Sequence, residues 1–293
     1  MSAPVGLVGL GIMGSAMSTH LLAAGFPVLG HDVDPRRLAE HAGRGGTACR
    51  SPAEVATGTD VVITSLPSDA ALQQVLDGED GLREGAHPGL VVLETSTLAP
   101  EAKRAGHDRA AAWGAELLDC PLSGTGQQAR DGDLVAYLSG DPDAKRRAGP
   151  VLAAFTRTQH DLGAFGRGTL AKLVANLLVA VHNAAAAEAL LLAQRAGLDL
   201  ERVLDVLGDG AGASRMLAVR GPLMAAGRYG EPTATVATMR KDIALIAELA
   251  AQVASPTPLF AAATVLYQAA VAQDRSHEDT ACVFGVLQRL AAR

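Results

Sequence analysis

The chain has 293 residues, is 48% hydrophobic and carries a formal net charge of −6 at pH 7. This length lies near the size at which one hydrophobic core divides into two, so we expect two domains. The acidic balance argues against a nucleic-acid or anionic membrane surface and favours a small-molecule partner. Cys49, Cys120 and Cys282 are widely spaced without a CxxC pair, so we expect no disulfide framework, no metal site and a reducing cytoplasmic location.

The first half of the chain alternates short apolar runs with helical patterns, which is typical of βαβ units in a mostly parallel sheet. Because the first apolar run begins at Val5, we expect no signal peptide. The pattern predicts an α/β fold over residues 1–165, with a doubly wound parallel sheet of the Rossmann type. Strands are predicted at residues 5–8, 27–31, 61–65, 90–94, 116–119 and 135–139, and helices at residues 12–24, 36–42, 69–76 and 101–112.

Residues 166–293 are predicted to form an all-helical domain, because alanine and leucine dominate and the apolar spacing becomes helical. We expect this domain to serve substrate binding and dimerisation. The first helix is apolar nearly all round, which indicates burial in a bundle or a subunit interface, so we expect a homodimer or a homotetramer. Its most apolar stretch, residues 173–187, is predicted to be too short and too polar to span a bilayer, so no membrane role is expected. The helices are predicted at residues 170–196, 201–207, 213–220, 235–253 and 258–272.

A glycine-rich turn joins the first predicted strand to the first predicted helix. In such a GxGxxG turn, the first glycine permits a sharp bend, the second lets a pyrophosphate approach the backbone, and the third lets the helix pack on the strand. The position between strand and helix is what makes the motif informative. The turn predicts a dinucleotide site with contacts from Gly9, Gly11, Ile12, Met13 and Gly14.

Asp32 directly follows the second predicted strand, some twenty residues beyond the glycines, as the dinucleotide pattern requires. A carboxylate at this place accepts hydrogen bonds from the ribose hydroxyls of NAD and repels the 2′-phosphate of NADP, so NAD is favoured. Arg36 and Arg37 follow closely and are within reach of a 2′-phosphate, which leaves NADP possible. Pro35 indicates a turn into the next helix, where we expect both arginines to be solvated.

Lys172 and Asn176 are four residues apart on the long predicted helix and therefore share one face. A lysine in an apolar environment can exchange a proton with a hydroxyl or an alkoxide near neutral pH, which is the acid–base chemistry that a hydride transfer needs. The alternative is structural: Lys172 extends along the helix surface to solvent while Asn176 hydrogen-bonds to a neighbour.

Three further segments follow predicted strands, which is where open parallel sheets bind ligands. The segment around Ser123, Gly124 and Thr125 offers a hydroxyl and glycine amides that suit a carboxylate. Residues 64–67 and 95–97 are placed to line the nicotinamide side of a cleft. Each segment, considered alone, is equally compatible with an ordinary turn.

Together, in this order and at these intervals, the four segments resemble the β-hydroxyacid dehydrogenase family, over about residues 5–290. The glycine-rich turn, the segment at residues 119–134 and the helix start at residues 166–176 each resemble a motif of that family. The resemblance implies a hydride transfer between NAD(P) and a small hydroxyacid or its semialdehyde. The roles that it implies are catalysis by Lys172 with Asn176, carboxylate binding by Ser123 and Gly124, and cofactor contacts from Leu66, Pro67, Thr97 and Lys241.

Two positions depart from the family pattern. Thr125 stands where the family usually has a second glycine, and Ala175 stands where an asparagine commonly precedes Asn176. The threonine side chain fills space that glycine leaves open, so the identity of the substrate is what this departure affects. Two other functions use the same features: an imine reductase, whose characterised forms generally lack the lysine, and a non-catalytic NAD(P)-binding sensor.

Overall fold

The computed structural model describes residues 2–292, and contacts divide the chain into two compact units after Lys172. The boundary expected near residue 165 precedes the long helix, whereas the division by contacts falls within that helix. The strands of the first unit are β1 (Val5–Val8), β2 (Val28–His31), β3 (Thr47–Ala48), β4 (Val61–Thr64), β5 (Val91–Glu94), β6 (Glu116–Asp119), β7 (Leu122–Ser123), β8 (Leu134–Leu138) and β9 (Thr156–Asp161). Its helices are α1 (Ile12–Ala23), α2 (Pro35–Gly43), α3 (Pro52–Thr57), α4 (Asp69–Asp77), α5 (Leu82–Gly85), α6 (Pro100–Ala112), α7 (Gly126–Arg130) and α8 (Pro142–Ala153).

The main sheet has the order β3-β2-β1-β4-β5-β6, and all of its neighbouring strands run parallel. Every residue of β1, β4 and β5 is buried, which is typical of strands covered by helices on both faces. Val91 and Leu93 pack into the core on one face while Val92 packs into the core on the other. The sheet is thus doubly wound, and the Rossmann prediction is confirmed.

The prediction that residues 135–139 belong to the parallel sheet was wrong. Strand β8 instead lies in a separate small sheet of order β7-β8-β9, in which β7 pairs antiparallel and β9 pairs parallel. A single bridge between Asp119 and Ser139 connects the two sheets. Both β7 and β9 escaped prediction, because β7 has two residues and β9 is largely exposed and polar. This small sheet is what places the segment after Asp119.

The second unit is helical, as predicted. Its helices are α9 (Arg167–Arg195, which begins in the first unit), α10 (Leu200–Asp209), α11 (Arg215–Ala226), α12 (Val236–Gln252), α13 (Pro258–Ala272) and α14 (Val283–Ala291), with a 3₁₀ turn at Thr280–Cys282. Helix α11 continues through Pro222, whereas the sequence pattern predicted an end at residue 220. In the core, Asn183 on α9 donates to the Tyr267 hydroxyl and to the Thr280 carbonyl, both at 3.0 Å. These bonds satisfy the buried Nδ2 donors of the amide, which would otherwise destabilise the helix packing.

The expectation that the apolar stretch of α9 is too short to span a bilayer was wrong as stated. The helix has 29 residues and a window of mean hydropathy 1.5, which is long and apolar enough to cross a membrane by length and composition alone. This is weak evidence, since the core helix of a soluble protein passes the same test, and 44% of that window is buried within the protein. Leu170, Val174, Leu178 and Leu192 remain exposed along the helix.

Candidate active site

The glycine-rich turn brings β1, α1 and the end of β4 into close backbone contact. Gly9 has a φ of +94°, and a methyl group at that position would lie 2.2 Å from the Ser65 carbonyl oxygen. A methyl group at Gly14 would lie 1.9 Å from the Gly9 carbonyl oxygen. Neither contact is physically possible, so both residues must be glycine for α1 to start this close to the strand.

Gly11 needs a different explanation, because the protein itself leaves room for a side chain there. A methyl group at Gly11 would meet only Arg37, whose Nη1 lies 3.7 Å away. Gly11 is the N-cap of α1, makes no side-chain cap bond, and is followed by no acidic residue in the first turn. The amides at the start of α1, beginning with Ile12 and Met13, therefore lack a capping side chain. This open, electropositive helix end fits the pyrophosphate of a dinucleotide.

We expect Gly11→Ala to separate binding from folding. Its φ of −66° suits alanine and its surroundings hold a methyl group, so the melting temperature should stay within about 2 °C of wild type. The methyl group would occupy the approach of the pyrophosphate, so the Kd for NADH should rise at least about tenfold, measured by fluorescence titration. Gly14→Ala is the matched control, and it should lower the melting temperature because of its backbone clash. Unchanged NADH affinity in Gly11→Ala would contradict the assignment.

Asp32 directly follows β2 and is almost fully buried beside the glycine-rich turn. Its Oδ2 accepts the Leu10 amide at 2.7 Å, and its Oδ1 accepts the Asp34 amide at 2.8 Å. The Arg37 side chain is 49% exposed, as expected of a solvated arginine, and its guanidinium also lies 3.3 Å from Asp32 Oδ2. Arg36 is 86% exposed and pairs with Asp34, as a solvated arginine does. The Asp32 carboxylate thus stabilises the glycine-rich turn through the Leu10 amide, and the Arg37 guanidinium lies beside the same carboxylate.

The loops after β4 and β5 are joined to each other by hydrogen bonds. The Leu66 amide donates to Ser96 Oγ at 2.8 Å, and Thr95 Oγ1 donates to the Thr64 carbonyl at 2.7 Å. Leu66 is half-buried and its side chain faces Gly9, whereas Pro67 is exposed. Thr97 follows Ser96 and is half-buried. The structure therefore groups the predicted cofactor loops with the glycine-rich turn, at the carboxyl ends of adjacent strands.

The segment that we predicted to bind a carboxylate is ordered by the small sheet. Ser123 lies in β7 opposite Val135 of β8, and Gly124 has a φ of +149°. Thr125 is the N-cap of α7: its hydroxyl accepts the Gln128 amide at 3.3 Å, and the Gln128 side chain accepts the Thr125 amide at 3.0 Å. The threonine hydroxyl thus has a capping role, and its contact with a substrate stays a prediction.

Three charged side chains meet in the interior of the first unit, and sequence reasoning missed them. Lys103 Nζ on α6 lies 2.6 Å from Glu94 Oε2 at the end of β5 and 2.9 Å from Asp119 Oδ1 at the end of β6. Their side chains are 0–1% exposed. Burial opposes the charge on Lys103, but the two carboxylates outweigh it and raise the lysine pKa to about 12. Burial likewise opposes the charge on Asp119, but Lys103 and Thr169 hold its pKa below the usual value.

A signal for this cluster was present in the chain. Two adjacent buried strands each end in an acid, Glu94 and Asp119, and a buried carboxylate requires a cation or several donors. Nothing in the local pattern of α6 distinguishes Lys103 from a surface lysine, because its neighbours Ala102 and Arg104 carry no information about a partner on the sheet. The pairing depends on how α6 packs against β5 and β6.

The start of α9 donates hydrogen bonds to the Asp119 carboxylate of this cluster. Asp119 Oδ2 accepts the Thr169 amide at 2.7 Å, and Oδ1 accepts the Thr169 hydroxyl at 2.6 Å. Ser139 Oγ accepts the Gly168 amide at 2.9 Å. A methyl group at Gly168 would lie 2.3 Å from the Tyr137 carbonyl oxygen, so the helix start is pressed against the strands.

The two residues predicted to be catalytic are both buried on α9. Lys172 is 8% exposed and Asn176 is 6% exposed. Within the second unit, Asn176 Nδ2 donates to Asp242 Oδ2 at 2.7 Å, so the amide nitrogen faces Asp242. Lys241 Nζ lies 3.9 Å from Asp242 Oδ1. The acidic neighbour of Lys241 thus fixes the orientation of the Asn176 amide, a link that spacing alone did not indicate.

Cys120 follows Asp119 but does not have the environment of a nucleophile. Burial, together with the Asp119 charge, raises the pKa of its thiol well above the usual value. Over residues 2–292, no group of three or more His, Cys, Asp or Glu side chains is arranged to hold a metal ion.

A parallel sheet of this order, with the glycine-rich turn after β1 and an acid after β2, defines an NAD(P)-binding oxidoreductase class. Residues 4–165 match the family described as the NAD binding domain of 6-phosphogluconate dehydrogenase. Residues 166–287 match the family described as the NAD-binding domain of NADP-dependent 3-hydroxyisobutyrate dehydrogenase.

Similar proteins extend over nearly the whole chain. L-threonate dehydrogenase of Cupriavidus necator is 36% identical over 98% of this chain and 96% of its own. NAD-dependent L-serine dehydrogenase of Pseudomonas aeruginosa is 32% identical over 98% of this chain and 97% of its own. The crystal structure of 3-hydroxyisobutyrate dehydrogenase from Salmonella typhimurium superposes with a TM-score of 0.89, at 31% identity over 97% of this chain and 100% of that one. The chain belongs to the β-hydroxyacid dehydrogenase family and is an NAD(P)-dependent dehydrogenase.

Proposed function

We propose that the enzyme interconverts a small β-hydroxyacid and its semialdehyde or keto form, with Lys172 as the general acid and base. The observation that carries the proposal is a buried lysine one helical turn from Asn176, whose amide is oriented by Asp242. A buried lysine, four residues before an asparagine whose amide has a fixed orientation, supports proton transfer to a substrate oxygen. Relatives named for threonate and serine, both small hydroxyacids, support the substrate class.

Bound NAD(P) supplies the hydride acceptor or donor. In the oxidative direction, Lys172 would take the proton from the substrate hydroxyl, and in the reductive direction it would return the proton to the carbonyl oxygen. Asn176 would orient Lys172 or the substrate oxygen. Ser123 and the amide of Gly124 would hold the substrate carboxylate, so that the substrate is presented in a single orientation.

Turnover on a substrate panel tests the proposal. Purified protein should oxidise or reduce at least one pair of short-chain hydroxyacid and semialdehyde, such as threonate, serine or 3-hydroxyisobutyrate. Turnover of cyclic imines alone would favour an imine reductase. Tight NADH binding without turnover of either class would favour a sensor. Either of these last two outcomes would refute the proposed function.

We further propose that NAD is preferred over NADP, and Asp32→Ser tests this preference. The substitution removes a charge that repels a 2′-phosphate and frees Arg37, which now lies 3.3 Å from Asp32, to bind it. The ratio of kcat/KM for NADP to that for NAD should rise at least about tenfold. Adding Arg37→Ala should reverse the gain. Glu40→Gln, which removes a carboxylate that pairs with Arg44, is the control and should leave the ratio unchanged. An unchanged ratio in Asp32→Ser would contradict the assignment.

The proposal extends to the assembly and location of the enzyme. We propose a homodimer or homotetramer in the cytoplasm, with residues 1–165 binding the cofactor and residues 166–293 serving substrate binding and dimerisation. The exposed apolar side chains Val174 and Leu178 on α9 support an interface on the second unit. Molar mass measured by light scattering tests the assembly, and a monomer at micromolar concentration would refute it.

A further inference from the structure

The buried cluster of Lys103, Glu94 and Asp119 has more connections than a simple ion pair. Bringing three charged groups into the interior has a large desolvation cost, and well-packed apolar side chains would often stabilise a fold as well or better. A structural role alone therefore explains the cluster poorly. The other hydrogen bonds that its two carboxylates accept show which segments the cluster positions.

Asp119 accepts the first set of hydrogen bonds. Its two oxygens accept the amide and the hydroxyl of Thr169, which lies in the first turn of α9, three residues before Lys172. Ser139 Oγ donates to Asp119 Oδ2 at 3.2 Å and accepts the Gly168 amide. Both helix-start residues are thus held, directly or through one hydroxyl, by a single carboxylate. Any shift of that carboxylate shifts the first turn of α9.

The second set of hydrogen bonds begins at Glu94, which is an acceptor. Its Oε1 accepts the Ser96 amide at 2.9 Å, and Ser96 Oγ accepts the Leu66 amide at 2.8 Å. Lys103 bridges the two carboxylates and so fixes their separation. The loops after β4 and β5 are therefore connected through the cluster to the start of α9. Ser123 is also close in the chain, four residues after Asp119.

We propose that the Lys103–Glu94–Asp119 cluster, with Thr169, is a positioning device that sets the place of Lys172 relative to the cofactor loops and the carboxylate-binding turn. The inference rests on the proposed function, since it assigns these residues to the positioning of the proposed acid–base lysine. Thr169 acts through α9, and Lys103 acts through Asp119. The ionised state of Asp119, which Lys103 maintains, keeps both oxygens available as acceptors for Thr169.

Thr169→Val and Thr169→Ser test the proposal as a pair. Valine keeps the shape of the buried side chain and removes the hydroxyl that donates to Asp119 Oδ1, whereas serine retains a hydroxyl. We expect kcat of Thr169→Val to fall about 10- to 100-fold, because a displacement of the order of 1 Å at a catalytic group has effects of this size. The Kd for NADH should stay within about twofold, and Thr169→Ser should keep kcat within about threefold of wild type.

Hydrogen exchange gives a readout that does not depend on turnover. Amides of residues 168–176 should exchange about tenfold faster in Thr169→Val than in wild type or Thr169→Ser. Thr59→Val is the matched control, since Thr59 is also buried and its hydroxyl donates at 2.9 Å to Val55, outside the cluster. The control should leave kcat and the exchange of residues 168–176 unchanged.

The outcomes separate this inference from the proposed function. If Lys172→Ala is inactive but Thr169→Val has wild-type kcat or wild-type exchange at residues 168–176, the positioning role is refuted and the proposed function stands. If wild-type protein turns over none of the hydroxyacids, the proposed function fails and exchange alone decides the positioning role. Equal effects of Thr169→Val and Thr59→Val on residues 168–176 would also refute it.

Discussion

Lys172→Ala should lose about 10²- to 10⁴-fold in kcat, the usual contribution of a general acid or base, while its affinity for NADH changes less than about threefold. The lysine is buried on α9, and alanine is a strong helix former, so we expect the variant to retain the helix. If Lys172 carries the substrate proton, its loss affects the chemical step and leaves binding of the cofactor nearly intact. Steady-state kinetics on the best hydroxyacid, together with NADH fluorescence titration, measure both quantities.

Lys145→Ala is the matched control for this prediction. Lys145 is also a largely buried lysine of the first unit, but it pairs with Asp161 at 2.6 Å and has no proposed role in catalysis. Its alanine variant should keep kcat within about twofold of wild type. Joint loss of turnover and NADH binding in Lys172→Ala would make that lysine a structural residue. Retained turnover would assign the proton transfer to another group.

Lys103→Met should lower the free energy of unfolding by about 3–5 kcal/mol at pH 7, because it leaves two buried carboxylates without their cation. The substitution removes the contacts of Lys103 Nζ with both strand ends, at 2.6 Å to Glu94 Oε2 and 2.9 Å to Asp119 Oδ1. Urea denaturation followed by Trp113 fluorescence measures the effect, since this single tryptophan caps α6 and reports on the first unit. Lys145→Met, which breaks a pair with an exposed carboxylate, should cost about 1 kcal/mol or less.

The pH dependence of the free energy of unfolding is a second test of the Lys103→Met prediction. In wild type, the lowered pKa of Asp119 contributes stability above about pH 4, which is lost as the pH falls through the folded value. The pKa of Lys103, raised to about 12 from 10.5, contributes stability below its unfolded value, which is lost as the pH rises through the folded value. In Lys103→Met the Asp119 pKa should instead be raised, so its contribution is present at low pH and lost as the pH rises. The difference between the two proteins should therefore shrink toward pH 4; a difference that is constant from pH 4 to pH 9 would contradict this account.

Short-range patterns in the sequence predicted local elements such as the glycine-rich turn, but they did not predict the contacts between distant segments. The turn from β1 to α1 was predictable because its glycines are required by contacts with chain neighbours, such as the one between Gly14 and the Gly9 carbonyl. Asp32 was predictable because it follows a strand at a known interval from that turn. The role of Arg37 was not, because its approach to Asp32 depends on how α2 begins after Pro35.

The sequence by itself determined the fold class, the glycine-rich turn and the family motifs, because apolar periodicity and turn chemistry act over a few residues and are written in the local order of side chains. Only the tertiary structure decided that Lys103 joins Glu94 and Asp119, that Asp119 holds Thr169 fifty residues later, and that Asp242 orients Asn176. These contacts form between segments that meet only after strands and helices have packed. Burial strengthens the attraction within each ion pair and hydrogen bond, and burial is a property of the folded chain.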